Sequence, residues 1–122
     1  MNSLRFDPDP FLPLTPALFH VLLALAEEDR HGYAILKEVE LRTRGEVRLS
    51  TGTLYGIMKR LLSDGLILEL RQRPAANEDD ERRRYYRLSP RGRAVAQAEA
   101  ARLEKIVALA RSRNLLRKVR TA

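Results

Sequence analysis

Apolar residues recur along this chain with two different periods, and the switches between them divide it into elements. From Ser50 to Gly65 (STGTLYGIMKRLLSDG), Leu54, Ile57, Met58 and Leu61 recur at helical spacing. Ser50 suits an N-cap, and Gly65 suits a stop after the last turn. At 100° per residue the opposite face is centred on Gly52, Gly56, Lys59 and Ser63, flanked by Thr53, Tyr55 and Arg60. Two glycines on an exposed helical face each cost roughly 0.5–1 kcal/mol against alanine. Close approach of another body to the backbone is a physical reason to keep them. An ordinary amphipathic helix with a solvated face is the plainer alternative.

The remaining elements follow in order. Residues 1–14 hold Pro8, Pro10 and Pro13 without apolar periodicity and read as an irregular arm, with Phe11, Leu12 and Leu14 able to order its end. Thr15-Pro16 opens a first helix as N-cap and first helical residue. Its run ALFHVLLALA is apolar nearly all round and needs cover on two sides. A second protomer is the simplest source of the second cover; the arm or the C-terminal helix folding back is the alternative. Glu27 to Arg30 reads as a charged turn and His31 as a capping or turn residue. A second helix runs from Tyr33 to Arg44 with a stripe of Tyr33, Leu36 and Val39, Ile35 alongside, and stops at Gly45.

After Gly65 the period falls to two. Leu66, Leu68 and Leu70 alternate with Ile67, Glu69 and Arg71 in one strand. Residues 74–81 (PAANEDDE) form a polar tip, and Arg82 to Leu88 return as a second strand with Tyr86 and Leu88 on the core face, Tyr85 and Arg87 on the other. Ser89-Pro90 then caps a last helix without a breaker to the chain's end, about 30 residues or roughly 45 Å. Val95, Leu103, Ile106, Val107 and Ala110 form its narrow stripe, and many small alanines permit close helix–helix contact. That stripe suits pairing with its twin.

The 122 residues suffice for one compact domain plus an extension. The absence of cysteine excludes a disulfide framework and a zinc–cysteine site. His20 and His31 lie far apart and make a weak metal pair. Neither a metal nor a cofactor is expected. The apolar run of the first helix is too short for a bilayer, and the acidic, proline-rich start is unlike a signal peptide, so a cytoplasmic protein without membrane contact is expected. The net charge of +7 sits wholly in residues 91–122, which carry 9 basic and 2 acidic side chains against 14 of each in residues 1–90. Excess basic charge favours nucleic acid or an anionic surface. The closing RSRNLLRKVR is open to two readings, a solvated helix end or a contact with DNA or a membrane surface.

Three helices, a hairpin and a long helix are the order of a winged helix-turn-helix with a C-terminal extension: mainly α with a small β-hairpin. The expected division is an arm at 1–14, the winged unit at 15–88 and a dimerisation helix at 89–122. The third helix is then the recognition helix. Its hydroxyl, Tyr, Lys and Arg side chains suit phosphates and base edges. The expected DNA-binding set is Tyr33, Lys37, Ser50, Thr51, Gly52, Thr53, Tyr55, Gly56, Lys59 and Arg60, joined by Arg82, Arg83 and Arg84 at the wing. The acidic Glu78, Asp79, Asp80 and Glu81 at its tip would repel phosphate or pair with these arginines. Leu18, Phe19 and Leu22 of the first helix, with Val95, Leu103, Ile106, Val107 and Ala110 of the last, form the expected dimer interface. An enzyme is disfavoured, because the chain lacks a glycine-rich phosphate loop, a metal-ligand cluster and a nucleophile with its base. A winged-helix protein-interaction module without DNA binding is the other alternative, separable by salt-dependent DNA retention.

The segments HGYAILKEVE, LSTGTLYGIMKRLLSDGLI and RRRYYRLSPRGR together resemble the PadR family of bacterial transcriptional regulators over about residues 15–95. The family pattern has Gly-Tyr opening the second helix, Ser-Pro-Gly-Thr-Leu-Tyr starting the recognition helix, a Gly-Leu-Ile strand start, and Tyr-Tyr-x-Leu-Thr followed by Gly-Arg. This chain departs from it at Thr51 and Gly56, where proline is usual, and in the acidic wing tip. The single C-terminal helix resembles the shorter subfamily, which dimerises through the first and last helices. The resemblance implies a dimeric repressor on a palindromic operator in double-stranded DNA, released by a small-molecule effector where one exists. Some relatives bind aromatic or cationic compounds at the dimer interface. This chain has no tryptophan to line such a pocket; Phe19, Tyr33 and the two early phenylalanines are the nearby aromatics, and core packing is the plainer role of each.

Overall fold

The structure is a computed structural model and describes residues 5–70 and 84–117. Its helices are α1 (Pro16–Glu27), α2 (Gly32–Arg42), α3 (Thr51–Ser63) and α4 (Pro90–Ser112). Its strands are β1 (Arg30–His31), β2 (Ile67–Leu70) and β3 (Tyr85–Leu88), antiparallel in the order β1-β3-β2. The expected polar tip and most of the basic flanks of the hairpin, including Arg82 and Arg83, lie outside the described residues.

Each helix starts where a side chain can accept an orphan amide hydrogen bond. The Thr15 hydroxyl accepts from Leu18 N–H at 3.2 Å, Ser50 from Thr53 N–H at 3.0 Å and Ser89 from Gly92 N–H at 3.0 Å. His31 caps α2 through Nδ1, which accepts from Ala34 N–H at 3.1 Å. The stops are equally local. Gly65 takes φ +75° after α3, and Leu66 N–H returns to Leu61 O at 2.9 Å, closing a Schellman motif. Arg44 (φ 54°) and Asn114 (φ 63°) play the same part after α2 and α4. These two positions shorten both helices relative to expectation: α2 ends at Arg42 and α4 at Ser112, so α4 has 23 residues.

The core joins Val21, Leu22 and Leu25 of α1, Ile35 and Val39 of α2, Leu54, Met58 and Leu61 of α3, Leu66, Ile67, Tyr86 and Leu88 around the hairpin, and Val95 of α4. The apolar first helix is covered largely by its own chain, since α1 packs against α2, α4 and β3. Leu22 and Val95 are 0% exposed and Leu18 is buried with them. These three belong to the protomer's own core and are not available to a second chain, contrary to the expected interface. The arm also contributes: Leu14 N–H donates to Glu99 Oε2 at 3.3 Å, and Arg91 lies 5.1 Å over the Phe6 ring.

The sheet adds a strand to the expected hairpin and decides which residues of β2 face inward. It gains β1, whose Arg30 and His31 pair with Tyr86 and Tyr85. The Arg30 guanidinium is drawn in, donating to Ala24 O at 2.9 Å at the end of α1 and pairing with Glu27. In β2, Ile67 is opposite Leu88 and faces the core, whereas Leu68 is opposite Arg87 and is exposed. Beyond Ile67 the strand is open, with Leu68 and Glu69 exposed and Leu70 half-buried, so the leucine alternation does not mark a core face. On β3, Tyr86 and Leu88 are buried and Arg87 is exposed, as the pattern indicates.

Candidate nucleic-acid interface

One face of α3 is committed to the core and the other is open. Leu54, Met58 and Leu61 are buried, while Thr51, Gly52, Thr53, Tyr55, Gly56, Lys59, Arg60 and Ser63 are exposed. Around Gly52 and Gly56 a methyl group would meet nothing within 4 Å. Nothing within the described chain therefore requires glycine there, and the bare strip faces outward. Ser50 serves the helix first, since its Oγ caps Thr53 N–H and donates to Thr53 Oγ1 at 2.9 Å.

The flanks of this strip come from α2 and β3. Tyr33 is 59% exposed rather than a core aromatic, and the Lys37 ammonium lies 5.9 Å from its ring centroid. His31 stacks beside Tyr33 with centroids 6.5 Å apart and meets the edge of Tyr85 at 5.3 Å. Tyr55 leans from α3 onto the start of α2, with its hydroxyl end against Gly32. Burial pushes the Tyr86 phenol above its ordinary value, with Glu69 and Tyr55 adding to the shift and Arg84 opposing it.

The basic side chains near the strip are paired loosely. Arg60 lies 3.8 Å from Asp64, Arg48 3.9 Å from Glu40 and Arg84 3.5 Å from Glu69, all on exposed guanidinium groups. Exposed pairs of this kind are worth about 0–1 kcal/mol, so each arginine can be turned to a phosphate at little cost. By contrast Arg87 is engaged structurally, donating to Asp29 Oδ2 from Nη2 at 2.8 Å and from Nε at 3.3 Å. Of the three wing arginines expected at DNA, Arg84 is described and borders β3.

The second expected site lies on the far side of the core. A groove of about 390 Å³ between α1 and α4 is lined by Leu14, Pro16, Phe19, His20, Leu23, Glu99, Arg102 and Leu103. Phe19 and Leu103 are half-buried here, and Ile106 (50%) and Val107 (41%) continue an exposed apolar strip along α4, with Ala110 half-buried. Leu23 and Glu99 were missed. Leu23 lies one turn beyond Phe19, a signal present in the spacing. Glu99 had none: a carboxylate amid alanines reads as solvated, yet it is only 2% exposed. Two hydrogen bonds from Arg102, at 2.7 and 2.9 Å, hold its carboxyl below the ordinary range, against the opposing effect of burial. Beside the groove, Arg42 Nη1 sits 3.0 Å from His20 Nδ1, and burial, with Arg42 adding, lowers the His20 pKa. Among the described residues no group of three His, Cys, Asp or Glu could hold a metal, and no helix is long and apolar enough to cross a membrane.

Three helices, a short sheet with a wing and an open third helix define a winged helix-turn-helix protein. The family model for the PadR-like transcriptional regulators matches residues 21–98, and the chain belongs to that family of DNA-binding regulators, whose members are not enzymes. It is 36% identical over 87 residues to the transcriptional regulator Rv3488 of Mycobacterium tuberculosis, a match covering 71% of this chain and 75% of the relative. Among solved structures it is similar to a PadR family transcription regulator from Clostridium difficile R20291, with 26% identity, TM-score 0.67, and coverage of 80% of this chain and 97% of the other. A transcriptional regulator from Clostridium thermocellum matches at 26% identity and TM-score 0.65, covering 79% and 87% of the two chains.

Proposed function

We propose that this protein is a sequence-specific repressor that binds a palindromic operator as a homodimer, with α3 in the major groove, and releases it when an effector binds. The observation that carries the DNA reading is the open strip at Gly52 and Gly56. Two glycines with empty space around them lower helix stability without serving the fold. Close approach to a base edge or phosphate gives them a purpose. Lys59, Arg60, Thr51 and Thr53 rim the strip with donors suited to DNA, and Lys37 and Tyr33 extend it onto α2. The dimer reading is supported by the exposed Ile106 and Val107, which continue the stripe of Leu103 beside the α1–α4 groove, since exposed apolar continuity of this kind favours a partner surface. The effector reading rests on family resemblance and on the groove as a candidate space.

Selection of bound sequences from a random DNA pool tests the reading, repeated with candidate aromatic and cationic ligands. A palindromic consensus is expected. Gly56→Glu is expected to abolish binding with an unchanged circular dichroism spectrum, because the site is exposed and sterically open. Retained affinity in that variant would remove α3's open face from the interface. Enrichment of no sequence at any salt concentration would favour the protein-interaction module, which the balanced charge of residues 1–90 also fits.

A further inference from the structure

We infer that Gly32 is a positioning residue for DNA binding: its bare Cα is the seat on which Tyr55 rests, and that contact holds the Tyr55 ring off the open strip of α3. The inference rests on α3 being the recognition helix. A methyl group at position 32 would lie 2.8 Å from Tyr55 Oη, 3.2 Å from Cζ and 3.4 Å from Cε1. All three of its nearest neighbours are therefore atoms of one side chain, on a different helix. The backbone at Gly32 is outside the left-handed region, since only Gly45 and Gly65 among the glycines have positive φ. Close approach, not conformation, calls for glycine there.

The sequence of α3 explains why the ring needs a seat on α2. The i−3 neighbour of Tyr55 is Gly52 and the next residue is Gly56, and both have open space where a side chain would be. The first turn of α3 thus offers the ring little to lean on. Tyr55 is 50% exposed, so its far end has solvent to move into when it is displaced. A side chain at position 32 displaces the far end of this half-exposed ring, which then rotates outward over the strip between Gly52 and Gly56. The core residues Leu54 and Met58 on the opposite face are untouched, so the fold survives while the approach to DNA is obstructed. The Gly-Tyr that opens α2 acquires two separate roles: Gly32 seats Tyr55, and Tyr33 stands exposed beside Lys37.

The rival explanation is that Gly32 is bare because a DNA phosphate comes directly to the first turn of α2. A double-mutant cycle separates the two. The full chain is compared as wild type, Gly32→Ala, Tyr55→Leu and the double variant, on DNA selected with the wild type, by fluorescence anisotropy at a salt concentration low enough for all four to bind. Gly32→Ala is expected to weaken binding about tenfold with an unchanged thermal midpoint. In the Tyr55→Leu background the same substitution is expected to cost nothing further, because leucine lacks the atoms that clash. Equal losses in both backgrounds, or no loss in the wild-type background, would overturn the seat. If Gly32→Ala lowers the thermal midpoint instead, Tyr55→Leu must restore it, and failure to do so overturns the inference equally. Failure of the recognition-helix reading shows separately, as undiminished binding by Gly56→Glu.

Discussion

His20 shows how a single residue can set acid sensitivity in this protein. Its Nδ1 faces the Arg42 guanidinium and its ring is partly buried, so the folded state resists protonation relative to the ordinary value of 6.5. Above that value the group is neutral folded or unfolded, and its contribution to stability is unaffected by pH. As pH falls below 6.5 the unfolded chain takes up a proton that the folded chain does not, and stability is lost down to the folded pKa. Glu99 acts lower and from the other sign. Its folded carboxyl is depressed below 4.5, so the stability it provides is full above that value and disappears as pH falls through the folded pKa. Chemical denaturation of His20→Gln between pH 7 and 5 is expected to show a shallower decline than wild type, and Glu99→Gln is expected to leave that window's slope unchanged.

At the scale of elements, the joint between the wing and α4 leaves no room for a side chain at Gly92. Ser89 Oγ donates to Gly65 O at 2.7 Å, Ser89 N–H reaches Leu66 O at 3.1 Å, and a methyl group at Gly92 would stand 2.0 Å from that same Leu66 oxygen. The obstruction is backbone, so it cannot swing away as Tyr55 can. Gly92→Ala is therefore expected to destabilise the protein by about 3 kcal/mol, the upper part of the usual overpacking cost, read from denaturant midpoints. The wing beyond this joint is testable through its described arginine. If Arg84 leaves Glu69 for a phosphate, Arg84→Ala removes two contacts from a symmetric dimer and flattens the log–log salt dependence of binding by about 1.8. The loss should be similar for all DNA sequences, because phosphate contacts carry no direct base information. An unchanged slope would mean that the arginine serves only its exposed ion pair.

For the whole molecule the question is what covers α4. Its first half is built into the core through Gly92, Val95 and Ala96, whereas Ile106, Val107 and Leu109 stand exposed beyond the domain. Ile106 and Val107 continue the stripe of Leu103, which lines the groove with Phe19 and Leu23 of α1, and a second copy of the chain laid on that stripe would bury it. Leu103→Glu combined with Ile106→Glu would place two charges in that contact. Sedimentation is expected to show a dimer for the wild type at micromolar concentration and a monomer for the double variant, with the circular dichroism spectrum unchanged. A wild-type monomer would sink the dimeric reading without touching the fold.

Much of this protein is legible in its sequence because the determinants are local. Caps at Thr15, Ser50 and Ser89, the stop at Gly65 and the apolar stripe Leu54, Met58 and Leu61 act within a turn of helix, so composition and spacing specify them. The exposed face of α3 follows by subtraction, and the ordered motifs of α2, α3 and β3 carry the family. Tertiary structure decided what depends on partners distant in the chain. Strand β1 has two residues and exists only because β3 lies beside it. Leu68 turns outward because register with Arg87, not hydropathy, sets the pleat of β2. Leu18, Leu22 and Val95 meet inside one protomer because α4 folds back on α1, which a stripe on either helix alone cannot reveal. Glu99 is buried because Arg102 and the Leu14 amide satisfy it, and the glycine at position 32 has its reason in a ring that reaches it from another helix.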